Sequence, residues 1–158
     1  MPTLAFAPML LTALRREAEA AYPNEDCGIL LGTETAHPAG PWRTVERLLL
    51  AENVHESSER YHRFTIDPRA LLRAEREART ANQLVLGFYH SHPDHPAQPS
   101  PTDLAQAWPV YSYVIVSVEK GRAADTTSWR LTDAAPPAKP TFVEEPLIDL
   151  TPIDPESD

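Results

Sequence analysis

The spacing of apolar residues along the chain predicts two long helices. Apolar residues recur at intervals of three and four from about Pro8 to Tyr22, and Pro23 then stops the helix. A second helix is predicted from Pro68 to about Ala81, with Asp67 as its N-cap and Pro68 at its first position. Each helix has one apolar side, so each is expected to pack on a sheet.

Extended segments are predicted where apolar runs are bounded by proline, glycine or polar residues. They are a buried strand from Cys27 to Gly32, a strand from about Trp42 to Ala51, a short piece at Phe64–Ile66, a central strand from Leu84 to Pro93, a strongly apolar strand at Val110–Val118, and weaker strands at Ser128–Leu131 and about Thr141–Leu150. The weaker strands are expected at or near an edge of the sheet. Turns are predicted at Thr33–Pro41 and at Gly121, and a polar loop at Glu52–Arg63.

Helices and strands that follow one another in this order predict an α/β fold: a single domain with a mixed β-sheet and flanking helices. Residues 1–133 are expected to form the core. Residues 134–158 are rich in proline and acidic groups, so we expect an edge strand at 141–150 and then a mobile tail.

Composition excludes several functional classes. The 158 residues suit one domain, and a net charge of −9 argues against nucleic acid, which demands a basic face. No apolar run approaches the ~18 residues of a membrane span, and the N-terminus lacks a basic segment followed by an apolar one, so a cytoplasmic protein is expected. The single cysteine, Cys27, excludes an internal disulfide and a multi-cysteine zinc site.

The negative charge is concentrated near the C-terminus. From Asp133 to Asp158 there are seven acidic residues and one lysine. Such a segment usually keeps a protein solvated, and docking of a partner is the alternative.

Candidate chemistry lies at the end of the strand Leu84–Pro93. Residues two apart on a strand point to the same face, so His90 and His92 are predicted side by side. Asp103 follows eleven residues after His92 and supplies a carboxylate if the proline-rich loop folds back. Two imidazoles, one carboxylate and a position for water suit a catalytic zinc ion.

Simpler interpretations of the same residues also exist. Histidines at a strand end are often only hydrogen-bonded surface residues. Ser100 and Asp103 are typical of a helix start, with Ser100 as N-cap and Asp103 at the third helical position, which is compatible with metal binding. His95 lies in the loop and is not expected to be a ligand, because a third histidine would close the position that water needs.

Two further segments contain candidate catalytic residues. The stretch from His55 to Glu59 nearly matches the zinc-protease motif His-Glu-x-x-His, but its second histidine is missing and it is not on an apolar-faced helix. Hydrolysis also needs a group that accepts and returns a proton. Glu25 is a candidate because it precedes a buried strand, although a glutamate in such a position is usually only solvated.

These residues together resemble the JAMM (MPN+) metalloprotease family. Its pattern is an upstream glutamate, then His-x-His, seven residues, a serine, two residues and an aspartate. The chain matches it with Glu25, His90, His92, Ser100 and Asp103 and without departure. The resemblance covers roughly residues 10–118, and the short length is similar to the bacterial stand-alone branch, the Mec-type peptidases.

The resemblance implies a fold similar to that of cytidine deaminases and one Zn²⁺ per chain with a bound water, held by His90, His92 and Asp103. It implies that Glu25 acts as general base and then acid, and that Ser100 stabilises the water and the developing oxyanion. The implied substrate is a peptide or isopeptide bond after the C-terminal Gly-Gly of a ubiquitin-like or sulfur-carrier protein. Deaminase chemistry is excluded, because it needs a Pro-Cys-x-x-Cys ligand pair.

Three alternatives to this peptidase stay open on the sequence. A catalytically silent scaffold of the same fold is one, although such relatives usually lose ligands. A zinc hydrolase of another amide is the second. A hydrolase with Cys27 as nucleophile is the third, although Cys27 lies at the start of an apolar strand and has no obvious cationic neighbour.

Overall fold

The computed structural model describes residues 1–51 and 66–153, which contain three helices and eight strands. The helices are α1 (Leu10–Ala21), α2 (Pro68–Thr80) and α3 (Pro101–Gln106). The strands are β1 (Thr3–Phe6), β2 (Cys27–Thr35), β3 (Trp42–Ala51), β4 (Leu84–Pro93), β5 (Ser112–Glu119), β6 (Arg122–Leu131), β7 (Phe142–Glu145) and β8 (Leu147–Asp149). The predicted α/β fold with a mixed sheet is confirmed.

All of these strands join one sheet in the order β7-β6-β5-β4-β2-β3-β1-β8. β4 lies in the middle, antiparallel to β2 and parallel to β5. Because β4 and β2 run in opposite directions, the end of β4 lies beside the start of β2, and Cys27 pairs with His90. The residues just before β2 therefore adjoin the end of β4.

The two long helices cover opposite faces of the sheet. The buried residues of α1 are Leu11, Leu14 and Ala18, which pack with apolar side chains of β1, β4 and β5. The buried residues of α2 are Ala70, Ala74 and Ala78, which pack over β2 and β4. β4 is therefore covered on both faces, and the side chains near its end are buried.

Helix α1 begins later than predicted. The prediction started at Pro8, but Met9 has a left-handed backbone with φ 71°, so regular helix begins at Leu10. Helix α2 has the predicted start: the Asp67 side chain accepts a hydrogen bond from the N–H of Arg69, and Pro68 occupies the first position.

Several strand boundaries also differ from prediction. The predicted turn from Thr33 is wrong, because Thr33–Thr35 continue β2 and pair with β3 as far as Trp42. β5 begins at Ser112, since Val110 has φ 70° and cannot extend the strand. β6 begins at Arg122, directly after the turn at Gly121, whose φ of 84° favours glycine.

Short strands lie at or next to both edges of the sheet. β1 was not predicted, because four residues are too few for a periodic signal, yet Leu4–Phe6 are fully buried and pair with β3. The predicted strand at 141–150 is two strands, β7 and β8, which form opposite edges of the sheet. Its expected edge position is confirmed, but its continuity is wrong.

Some predictions fall outside the described residues: the polar loop at 52–63, with its near-match at His55, most of the extended piece at 64–66, and the end of the acidic tail, residues 154–158. In the described ranges, no helix has the length and apolar character needed to cross a membrane.

Candidate metal centre

The end of β4 supplies two buried imidazoles to one face of the sheet. His90 and His92 are 2% and 8% exposed, and their Nε2 atoms lie 3.0 Å apart. The ring Nδ1 of His92 lies 2.9 Å from the carbonyl oxygen of Pro96. Because a carbonyl only accepts hydrogen bonds, Nδ1 carries the proton and donates, which leaves the Nε2 lone pair directed at the cluster.

The loop between β4 and α3 is attached to the neighbouring strands. The Ser117 hydroxyl on β5 donates to the carbonyl oxygen of His95 at 2.7 Å, and the Thr127 hydroxyl on β6 donates to that of Ala97 at 2.6 Å. Ala97 itself is buried. The loop thus folds back over the sheet and brings α3 to the end of β4.

Asp103 completes the cluster from the first turn of α3. Its Oδ1 lies 3.3 Å from Nε2 of His90, and its Oδ2 lies 3.3 Å from Nε2 of His92. Oδ2 also accepts a hydrogen bond from the N–H of Ser100 at 2.8 Å. The helix start therefore fixes the carboxylate, as the sequence predicted.

The donor set fits a zinc ion. The three ligand atoms lie within 4.8 Å of one another. Ligand atoms placed tetrahedrally at about 2.0–2.1 Å from zinc are about 3.3 Å apart. The two Nε2 atoms lie 3.0 Å apart, and each lies 3.3 Å from a different oxygen of the Asp103 carboxylate. Two nitrogens and one oxygen also leave one tetrahedral position for water. A candidate metal site is therefore present.

The charges of the cluster differ between its two histidines. Burial lowers the pKa of His90, which favours the neutral ring that binds metal. Burial alone would also lower the pKa of His92, but its hydrogen bonds with Asp103 and Pro96 raise it, so a metal ion bound there would displace a proton. Burial alone would raise the pKa of Asp103, but hydrogen bonds with His90 and His92 outweigh it, and the pKa lies below its usual range. The carboxylate is therefore ionised at neutral pH.

Glu25 lines the same cleft as His92, Ser100 and Asp103. Its Oε2 is buried and has no hydrogen-bond partner among the described residues. Burial raises the pKa of Glu25 to about 8, with the charge of His92 lowering it and that of Asp103 raising it further. A carboxyl group whose pKa lies near neutral pH and that adjoins a metal site is suited to exchange protons.

Ser100 is the N-cap of α3. Its Oγ accepts a hydrogen bond from the N–H of Asp103 at 3.0 Å, while the Asp103 carboxylate accepts from the N–H of Ser100. This reciprocal pair is a capping box. The hydroxyl proton of Ser100 is not used in the pair and can be donated into the cleft.

An apolar cavity of about 520 Å³ adjoins the cluster. His90 and Asp103 form one wall of it. The remaining lining includes Leu71 of α2 and the aromatic residues Phe88, Trp108, Tyr111 and Tyr113. The sequence reasoning missed this cavity, although aromatic residues at 108–113 between a short helix and a strand were a usable signal.

The other candidate residues have different surroundings. His95 lines the cleft but does not belong to the cluster of His90, His92 and Asp103. Cys27 is buried, and burial together with the charges of Asp26 and Glu25 raises its pKa to about 12. The thiol is therefore protonated at neutral pH, which leaves the cysteine-nucleophile hypothesis without support.

Several known proteins are similar to this chain in sequence. The family model described as prokaryotic homologs of the JAB domain matches residues 8–132. A probable TtuB-protein conjugate cleaving protease of Thermus thermophilus is 38% identical over 115 residues, which cover 72% of this chain and 70% of that protein. The desampylase of Haloferax volcanii is 34% identical over 109 residues, covering 68% and 73%.

A longer match is to the CysO-cysteine peptidase of Mycobacterium tuberculosis, 31% identical over 137 residues, or 86% of this chain and 88% of that protein. Among solved structures, a protein from Desulfitobacterium hafniense superposes with a TM-score of 0.76 at 29% identity and covers 96% of this chain and 95% of its own.

Proposed function

Because the chain belongs to the family of prokaryotic homologs of the JAB domain, we propose that it is a zinc-dependent peptidase of ubiquitin-like or sulfur-carrier proteins. The bond cut is the peptide or isopeptide bond after the carrier's C-terminal Gly-Gly. The observation that supports this most strongly is the convergence of His90, His92 and Asp103 beside a cleft that also contains Glu25, whose buried Oε2 has no hydrogen-bond partner among the described residues.

His90, His92 and Asp103 are the proposed ligands of one Zn²⁺ per chain. Zinc in such a site supplies a Lewis acid and lowers the pKa of water to about 7. Two of the three ligands are oriented by the protein before metal arrives: His92 by the carbonyl of Pro96, and Asp103 by the N–H of Ser100. This preorganisation favours binding, since the side chains lose little conformational freedom when the ion enters.

Glu25 is the proposed general base and acid. Its carboxylate accepts a proton from the water that attacks the scissile carbonyl carbon, as the new C–O bond forms. It then returns that proton to the leaving nitrogen as the C–N bond breaks. A cation held by the three ligands would lower the pKa of Glu25 from about 8, which would favour the ionised carboxylate that accepts the proton.

Ser100 is the proposed donor to the oxygen of the scissile carbonyl. Its Oγ already accepts from the N–H of Asp103, which fixes the oxygen in place. The hydroxyl proton can therefore be directed at charge that develops on the carbonyl oxygen. One helix start would then position both a metal ligand and an oxyanion donor.

The relatives' names support the substrate class, since they denote a protease of TtuB-protein conjugates, a peptidase of CysO-cysteine and a desampylase. The apolar cavity beside His90 and Asp103 suits an apolar side chain of an extended tail that leads to the scissile bond. Trp108, which lines the cavity, is 68% exposed and would be covered by such a tail.

Mass measurement on defined substrates tests this function. Candidate carriers ending in Gly-Gly are fused to a short C-terminal extension and incubated with the enzyme, with and without a chelator. The expected product is the carrier ending in Gly-Gly, formed only without chelator and restored by added zinc. Cleavage that persists after complete metal removal, or no cleavage of any Gly-Gly fusion by zinc-loaded enzyme, would overturn the proposal.

A further inference from the structure

Ser91 lies between the two histidines on β4, and its side chain points to the opposite face of the sheet. It is 1% exposed. Its backbone N–H donates to the carbonyl oxygen of Asp26 at 3.0 Å, and its Oγ accepts from the backbone N–H of Asp26 at 2.7 Å. Asp26 is thus bound to Ser91 twice, once through a side chain.

These two bonds lie one pair beyond the end of the regular β2–β4 ladder. The last ladder pair there is Cys27 with His90. In a hydrogen-bonded pair of an antiparallel ladder, the two opposed residues exchange both bonds through their backbones. At Ser91 the hydroxyl replaces the carbonyl as acceptor. The attachment of the chain to β4 is therefore extended by one residue at this point, towards Glu25.

The bond to Asp26 acts directly on the backbone of Glu25. The N–H of Asp26 belongs to the peptide group that joins Glu25 to Asp26, so fixing this N–H also fixes the plane that contains the Glu25 carbonyl and Cα. The buried Oε2 of the Glu25 side chain lacks a hydrogen-bond partner among the described residues, so no hydrogen bond there fixes this oxygen. The position of the carboxylate therefore depends strongly on its backbone.

We infer that Ser91 is a positioning residue for the proposed general base: its hydroxyl holds the Glu25–Asp26 peptide so that the Glu25 carboxylate faces the cleft beside the metal ligands. This inference rests on the proposed function of Glu25. Ser91 touches neither metal nor substrate in this scheme. Its hydroxyl adds a hydrogen bond between the strand that carries the ligands and the segment that carries the base.

The main test is a double-mutant comparison with Glu25. Ser91→Ala removes the acceptor and is expected to lower kcat by about 10- to 100-fold, since a small misplacement of a catalytic group can cost about that much. Zinc content and KM should change little. In the Glu25→Gln background, Ser91→Ala should cause no further loss, because residues that act through the same step are not additive.

Two controls separate positioning from stability. Ser128→Ala also removes one buried serine hydroxyl, the donor to Glu145 at 2.7 Å, and should lower the melting temperature without lowering kcat. Ser91→Thr and Ser91→Val have the same shape and differ only in the hydroxyl. Threonine should retain much more activity than valine at equal zinc content. The comparison of these two variants also tests the role of the Ser91 hydroxyl if Ser91→Ala does not fold.

The outcomes distinguish this inference from the proposed function. Full activity of Glu25→Gln would show that Glu25 is not the general base, and Ser91 would then have no catalytic group to position. An inactive Glu25→Gln together with wild-type kcat in zinc-loaded Ser91→Ala would overturn only the role of Ser91. A loss of zinc in Ser91→Ala that explains the whole loss of activity would likewise overturn it, and so would equal activity of the threonine and valine variants.

Discussion

Asp103 and Ser100 hold each other at the start of α3: the Asp103 carboxylate accepts from the N–H of Ser100 at 2.8 Å, and the Ser100 hydroxyl accepts from the N–H of Asp103 at 3.0 Å. The same carboxylate lies 3.3 Å from Nε2 of both His90 and His92. A capping arrangement that stabilises a short helix therefore also orients a candidate metal ligand.

Replacement of Asp103 by alanine should abolish tight zinc binding. Two imidazoles remain, but zinc sites in proteins ordinarily need at least three protein ligands. We expect about one zinc per chain in the wild type and much less than one in Asp103→Ala, measured by elemental analysis after dialysis. His95→Ala is the matched control and should retain zinc, because His95 lies in the cleft outside the cluster. The reverse result would disprove the ligand set.

The sequence was sufficient to predict the cluster because its geometry is local. The alternation of β4 places His90 and His92 on one face, and the proline-flanked helix start places Asp103 and Ser100 together. The position of Glu25 was harder to predict, since it depends on the pairing of β2 with β4, 65 residues away along the chain. Without the family resemblance, its sequence position alone indicated only a solvated residue.

Three short strands were missed or misjudged for related reasons. β1 is four residues long and was not predicted, whereas β7 and β8, four and three residues long, were predicted as one continuous strand, because none of the three has a periodic pattern of its own. They are strands because they pair with neighbours that are distant in sequence. The same holds for the apolar cavity, since Leu71, Phe88 and Trp108 come from separate elements and meet only in the folded protein.

Glu25→Gln should bind zinc normally and lose most activity. The amide has nearly the size of the carboxyl group but cannot accept the proton of the attacking water, and general acid–base catalysis is worth about 10²–10⁴-fold. We expect kcat to fall within that range, with KM nearly unchanged. Turnover and metal content are measured on the same preparation, and a fully active Gln variant would show that Glu25 is not the base.

Ser100→Ala should have two separate effects. Loss of an N-cap side chain costs about 0.5–2 kcal/mol of stability. Loss of an oxyanion donor lowers turnover by about 10²–10³-fold. We expect both, with zinc retained, in measurements of melting temperature, metal content and kcat.

The N-cap of α2 provides a matched control for Ser100. Asp67 accepts from the N–H of Arg69 at 2.9 Å, so Asp67→Ala removes a cap away from the metal cluster. It should lower stability while kcat stays near the wild-type value. If Ser100→Ala behaved in the same way, Ser100 would be only a helix cap.

Trp108→Ala should weaken substrate binding more than it slows chemistry. Trp108 lines the apolar cavity and is 68% exposed, so a bound tail would bury a large aromatic surface against it. Loss of a buried tryptophan contact commonly costs about 2 kcal/mol or more in binding. We expect KM for a carrier fusion to rise by more than tenfold (about 1.4 kcal/mol). Leu84→Ala, which also removes an exposed apolar side chain but lies outside the cavity, should leave KM unchanged.

In the metal-free protein, Glu25 should lower the stability of the folded state by an amount that grows with pH. In the metal-free folded protein burial raises the pKa of Glu25 from 4.5 to about 8, so between these values the folded chain binds more protons at this site than the unfolded chain. Stability from this group therefore falls as pH rises through that window. Glutamine does not titrate, so Glu25→Gln should be as stable as the wild type near pH 4 and increasingly more stable towards pH 8. Asp26, whose pKa is raised by burial to about 6, is present in both proteins, so its contribution to stability largely cancels in the comparison.

Melting temperatures of both metal-free proteins between pH 4 and pH 8 provide the measurement. A difference that does not grow with pH would mean that Glu25 is well solvated in the folded chain, and a difference that disappears when zinc is added would show that the cation stabilises the ionised carboxylate.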